Sequence, residues 1–175
     1  MKKIMIGLAL LVSISSYAKI IEEVDENGII TKSWISADGV LWKNVIVGQN
    51  NTIWSHALPG YHLNCVSRPG DEKRICERDP VTHLLVGTEG GTIVDSDAVR
   101  ECLKIGGRLP SITDLQKESN QTRYLLGIGA DWGYALSSVE PNPEHSAGYG
   151  GYYVPARVLS IPREDASKVR CVAKE

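Results

Sequence analysis

The chain has 175 residues, a formal net charge of −2 and 42% apolar residues. That length suits one domain of ordinary size, and a slightly acidic balance excludes the basic footprint that nucleic acid or anionic lipid requires. Aromatic usage is uneven, with no Phe but four Trp and seven Tyr; both types join an apolar body to a polar atom and suit binding faces as well as cores.

The first residues have the three-part pattern of an export signal. Met1-Lys2-Lys3 is basic, Ile4 to Val12 is uninterrupted apolar sequence, Ser13 to Ser16 is polar, and Ser16-Tyr17-Ala18 offers small residues where a signal peptidase reads. The apolar run is about half of the ~20 residues that a spanning helix needs. We therefore expect a signal peptide over residues 1–18, cleavage after Ala18, a secreted or periplasmic mature chain and no membrane span. Loss of Lys2 and Lys3 with the leader takes the net charge to −4.

Lys19 to Val24 is apolar and β-branched, and Asn27-Gly28 is a type I′ turn signal. Ile29 to Ser36 follows, then a second such turn at Asp38-Gly39, then Val40 to Val47, the turn Gly48 to Asn51, and Thr52 to Ser55. This rhythm predicts an N-terminal β-meander bearing Trp34, Trp42 and Trp54. His83 to Val86 and Thr92 to Val94 predict two short strands around a loop, Gly87 to Gly91. Asp95-Ser96 caps a helix whose apolar stripe is Ala98, Val99, Cys102, Leu103 and Ile105, stopped by Gly106-Gly107. Pro110-Ser111 opens a second helix, with Ser111 and Asp114 at capping-box spacing and an end near Asn120. Trp132 to Val139 reads as a strand, Glu140 to Gly151 as a long polar loop, and Tyr152 to Ile161 and Val169 to Ala173 as strands. The expected class is α+β, an antiparallel sheet with two central helices preceded by the meander.

Cys65, Cys76, Cys102 and Cys171 allow three disulfide connectivities in an exported chain. We favour Cys65–Cys76, which closes the polar stretch around Pro69-Gly70-Asp71, and Cys102–Cys171, which ties a helix to the last strand. A metal site is not expected, because no C-x-x-C occurs and His56, His62, His83 and His145 lack ligand spacing. Nothing points to an enzyme either. The mature chain has no nucleophile elbow, S-x-x-K, H-E-x-x-H or P-loop. Gly127-x-Gly129 and Gly148-x-Gly150 fail as dinucleotide fingerprints, because Trp132 and Tyr153 stand where the third Gly belongs.

Residues 95–117, DSDAVRECLKIGGRLPSITDLQK, resemble a domain of exported bacterial proteins, the DUF1566 family, also described as the C-terminal domain of the Legionella collagen-like adhesin. Trp132 to Ser138 is similar to that family's aromatic-Trp-Ser-Ser-Ser strand, Val169-Arg170-Cys171-Val172 to its closing V-R-C-V, and Asp38 to Trp42 to its opening strand. Leu136 departs from the pattern, and residues 45–94 have no counterpart. The resemblance implies a C-type-lectin-like fold, a Cys102–Cys171 bridge and an adhesive or ligand-binding role. It divides residues 19–175 into a β-rich part, 19–94, and a family-like part, 95–175, of one disulfide-stapled domain. Gly-Arg-Leu-Pro itself reads as structural: Gly106-Gly107 ends a helix, Leu109 plugs the core, Pro110 starts the next helix and Arg108 pairs with a carboxylate.

Glu140-Pro141-Asn142 matches the sugar-binding triplet of calcium-dependent lectins, but their Trp-Asn-Asp triplet is missing. Calcium takes six to eight oxygens, and the loop offers only Glu140, Asn142, Glu144 and carbonyls. A Pro-rich turn is expected, and no cofactor. The expected function is binding or adhesion to a glycan or protein surface through Trp132, Tyr134, Glu140, Asn142, Tyr149, Tyr152 and Tyr153. Two alternatives are a periplasmic or secreted enzyme on the same fold, and a structural subunit of a surface fibre that uses the meander as its oligomer face.

Overall fold

The computed structural model describes residues 18–70, 75–129, 133–151 and 153–173. Residues 1–17 of the expected leader, and the expected site residues Trp132 and Tyr152, lie outside the described residues. The meander starts where its turn signals put it. β1 (Lys19–Val24) and β2 (Ile30–Ile35) pair antiparallel, and β3 (Leu41–Trp42) adds to β2. Gly28 and Gly39 take φ of +78° and +82°, the left-handed backbone that tight hairpin turns require and that glycine adopts at least cost. The expected strand Val40 to Val47 is broken. Asn44 turns to φ +54°, and the Val45 N–H donates to the Lys32 carbonyl at 2.8 Å. The chain leaves the first sheet at this corner, and β4 (Ile46–Val47) and β5 (Ile53–Trp54) form a hairpin in a different sheet.

A hairpin occupies the expected loop 87–91. β6 (Thr88–Glu89) and β7 (Thr92–Ile93) flank Gly90 and Gly91, both at positive φ. The strand expected at His83 to Val86 does not form: His83 has φ +59°, and Leu85 makes one isolated bridge, to Arg78. α1 (Asp97–Lys104) is capped as predicted, the Ser96 hydroxyl accepting the Val99 N–H at 3.0 Å. Its buried stripe is Ala98, Val99 and Cys102, whereas Leu103, expected among them, is 49% exposed. Gly106 ends the helix at φ +75° and leads into β8 (Gly107–Arg108).

α2 (Ile112–Gln116) opens with the predicted capping box but stops after five residues. Ser119 then caps a third helix, α3 (Asn120–Gly127), so the two expected central helices are three. β9 (Tyr134–Val139), β10 (His145–Gly150), β11 (Arg157–Pro162) and β12 (Val172–Ala173) complete the chain. β10 overturns the expected long loop 140–151. Its glycines are required by neighbours: a Cβ on Gly148 would lie 2.1 Å from Ile161 Cδ1 and 3.0 Å from the Tyr134 carbonyl oxygen. β11 begins at Arg157, later than the expected strand from Tyr152.

The second sheet has the order β11-β10-β9-β7-β6 and the third β4-β5-β12-β8, with every ladder antiparallel. The fold is therefore α+β, mostly antiparallel sheet with few helices. Both favoured cysteine pairs are at disulfide distance, with Cα atoms 5.8 Å apart for Cys65–Cys76 and 5.4 Å for Cys102–Cys171. Leu109 is buried at 4% exposure, the plug expected between Gly106-Gly107 and Pro110. Trp34 and Trp42 meet edge to face at 5.1 Å, and the Trp42 indole N–H donates to the Ile105 carbonyl at the end of α1.

Among the described residues Arg163 is a fully buried cation that no carboxylate holds. Arg163 donates from Nε to the Asn64 carbonyl (2.9 Å), from Nη2 to Val86 (2.8 Å), and from Nη1 to Pro143 (3.3 Å) and Leu85 (3.4 Å). Burial lowers its pKa from the ordinary arginine value. Arg163→Met removes the donors and strands those carbonyls, so urea denaturation should show a loss of about 3 kcal/mol or more. A loss under about 1 kcal/mol would show that the carbonyls find other donors.

Candidate functional site

Two of the expected surface aromatics are core residues. Tyr134 and Tyr149 are 1% and 0% exposed. Their strands, β9 and β10, set them opposite each other, and the rings stack at 5.0 Å with Trp54 edge-on to Tyr149 at 6.2 Å. Arg170 lies 4.9 Å over the Tyr134 ring and donates to the Ser55 carbonyl (3.2 Å) and the Tyr134 hydroxyl (3.3 Å). Burial pushes the Tyr149 phenol well above its ordinary pKa. Both rings sit in the core among Trp54, Leu115, Leu126 and Leu136, closed off from solvent.

Glu140 and Asn142 lie in the turn between β9 and β10. The Asn142 side-chain oxygen accepts the Glu144 N–H (3.1 Å), and its carbonyl accepts the His145 N–H (2.9 Å). Glu144 binds Arg78 at 2.6 Å, and Arg78 reaches Glu164 at the same distance. Two of the three side chains the loop could offer a calcium ion are thus already engaged, Asn142 within the turn and Glu144 by Arg78. Among the described residues no group of three or more His, Cys, Asp or Glu is arranged to hold a metal.

Tyr153, by contrast, is 78% exposed. It belongs to a surface that the sequence reading did not assemble, built on α3. Gln121, Tyr124 and Leu125 are three and four residues apart and share the outward face of the helix, and Ile128 follows its last turn. Tyr124, Leu125 and Ile128 are 38%, 44% and 43% exposed, while Thr122, Leu126 and Gly127 bury the opposite face. Residues 153–156 are tied to the helix through Ala156. The Arg123 Nε donates to the Ala156 carbonyl (2.9 Å), and the Ala156 N–H donates back to the Arg123 carbonyl (3.2 Å). That segment presents Tyr153 and the half-exposed Val154. On the other flank of α3 lies a cleft of about 520 Å³, bordered by Ile30, Lys32, Asn44, Val47, Gln121 and Leu125. The sequence signal for this helix was Ser119 as a cap; apolar residues on both of its faces blurred the periodicity that marks a helix.

The Gly-Arg-Leu-Pro segment is structural in the way expected, with Asp114 as the carboxylate for Arg108. The pair is bidentate, at 2.6 and 2.8 Å, and one Asp114 oxygen also accepts the Ser111 N–H (2.7 Å) and hydroxyl (2.9 Å). Burial raises the Asp114 pKa, but Arg108 and Ser111 together outweigh it and hold the carboxyl down at about 2. Glu118, buried beside it in sequence, accepts the Trp54 indole N–H (2.8 Å) and the Gln49 N–H (2.6 Å) and so ties the α2–α3 junction to the β4–β5 hairpin.

Because the folded-state pKa of Asp114 is depressed, its contribution is complete above the unfolded value of 3.8 and is lost as the pH falls towards about 2. Asp114→Asn should therefore cost about 2 kcal/mol at neutral pH, a difference that shrinks as urea denaturation is repeated at successively lower pH through this window. A pH-independent difference would assign the effect to the cap geometry alone. Tyr149→Ala empties the ring stack and should lower stability by about 3–5 kcal/mol in the same assay.

No family model matches this chain, and neither a curated protein nor a solved structure does, so its likeness to the DUF1566 family rests on the motifs quoted above.

Proposed function

We propose that this chain is an exported bacterial binding module of DUF1566 type, with a C-type-lectin-like fold, that recognises a protein or glycan surface through α3 and residues 153–156. The observation that carries this reading is the outward stripe of Tyr124, Leu125 and Ile128 beside Tyr153 and Val154. Grouped apolar side chains left in water mark contact surfaces, and tyrosine is enriched in them. Tyr124 and Tyr153 suit a sugar ring or a protein; Leu125 and Ile128 add apolar area that favours a protein.

Export is supported by the leader pattern and by two cysteine pairs at bonding distance, an arrangement that persists in oxidising compartments. Among the described residues no helix is long and apolar enough to cross a membrane. The family reading is supported by the Cys102–Cys171 pair and by the way Gly-Arg-Leu-Pro closes one helix and opens the next.

The test is a glycan and cell-surface binding screen with residues 19–175, run with and without calcium. Tyr124→Ala and Tyr153→Ala should each weaken the binding found by about tenfold or more, with melting temperatures within about 2 °C of the parent. Full binding by the double variant would sink this assignment of the surface.

A further inference from the structure

β1 is an open edge. It pairs with β2 from Lys19 opposite Ile35 to Val24 opposite Ile30 without a register shift, and among the described residues no strand lies on its other side. Proteins blunt such edges with proline, bulges or charges that repel a second strand. The run Lys19-Ile20-Ile21-Glu22-Glu23-Val24 has neither proline nor bulge. Its charges are ordered so that they attract a copy of themselves. Side chains alternate along a strand, which puts Lys19, Ile21 and Glu23 on one face; on the other face Glu22 is already held by Lys32 at 2.8 Å.

We propose that β1 pairs antiparallel with β1 of a second copy of this chain about a two-fold axis at Ile21, which joins two three-stranded sheets into one of six strands. In this register Lys19 of each copy faces Glu23 of the other, and the two Ile21 side chains meet on the axis. Directly opposed side chains are close enough for the charge pairs to form. The parallel alternative sets Lys against Lys and Glu against Glu. The interface is isologous, so one attractive contact is made twice and the assembly closes at two. Ile20 and Val24 on β1 and Ile30 at the start of β2, with Ile29 just before it, are exposed near the seam.

Sedimentation over a concentration series of residues 19–175 tests this. The parent should dimerise. Lys19→Glu and Glu23→Lys each place like charges opposite one another twice and should weaken the dimer about tenfold or more. The double variant Lys19→Glu/Glu23→Lys restores both pairs and should return the dissociation constant to within about threefold of the parent. Circular dichroism on every variant confirms an intact fold. A parent that stays monomeric to about 100 μM, or a double variant no tighter than the single ones, overturns the proposal. A monomer that loses cell-surface binding on Ile21→Lys would assign the edge to a strand of another protein, and overturns self-pairing as well.

Discussion

The Arg163 guanidinium sends its N–H groups to the carbonyls of Asn64, Leu85, Val86 and Pro143, three separate stretches of chain. The described residues of 55–87 form no regular strand or helix that would pair their backbone polar groups, and buried carbonyls without donors are costly. A planar fork of five donors can serve several carbonyls from one point, as an ammonium on a flexible stem cannot. The consequences pass outward along a chain of contacts. Asn64, held at its carbonyl by Arg163, donates from its amide to the Leu136 carbonyl (2.8 Å) and accepts the Ser96 hydroxyl (3.0 Å). Ser96 is the cap of α1. The start of that helix is therefore set by an arginine 67 residues further along the chain.

From α1 the constraint continues through Cys102 to Cys171 and β12, the strand that joins the β4–β5 hairpin to β8. Gly107 has no side chain because the Trp42 ring and Cys171 Cβ occupy that space, 2.8 and 3.1 Å from where a Cβ would stand. The described buried apolar residues form three clusters, and the Cys102–Cys171 bridge lies in the one that holds Trp34, Trp42 and α1, whereas Cys65–Cys76 lies against Arg163. A closed loop of the Cys102–Cys171 length, bridged, removes about 4 kcal/mol of unfolded-state freedom in the chain-entropy view.

The two proposed contact surfaces lie on elements that the core leaves partly exposed. α3 commits Thr122, Leu126 and Gly127 inward and is fastened at Ala156 by the Arg123 side chain and one backbone bond, so its second apolar face stays outward. Among the described residues β1 pairs with β2 and carries its charges at an open edge. The proposed binding stripe and the proposed self-pairing edge lie on different elements, so both could act at once, and pairing two copies would raise avidity for a repetitive surface.

Residues acting on their near neighbours were legible in the sequence by itself. The Asn27-Gly28 and Asp38-Gly39 turns, the Ser96 cap, the Ser111–Asp114 capping box and the Gly106 stop all involve partners within a few residues, where local geometry dominates. Both cysteine pairs were also readable, from parity and loop composition. Tertiary packing alone decided the rest. His145 to Gly150 has the composition of a loop yet is the strand between β9 and β11, because Ile161 and the Tyr134 backbone close on Gly148. Tyr134 and Tyr149 look like binding residues yet stack in the core, because the opposing register of β9 and β10 brings their rings together. Arg163 carries no local mark at all, since its four acceptors lie 20 to 99 residues away and only the folded chain gathers them.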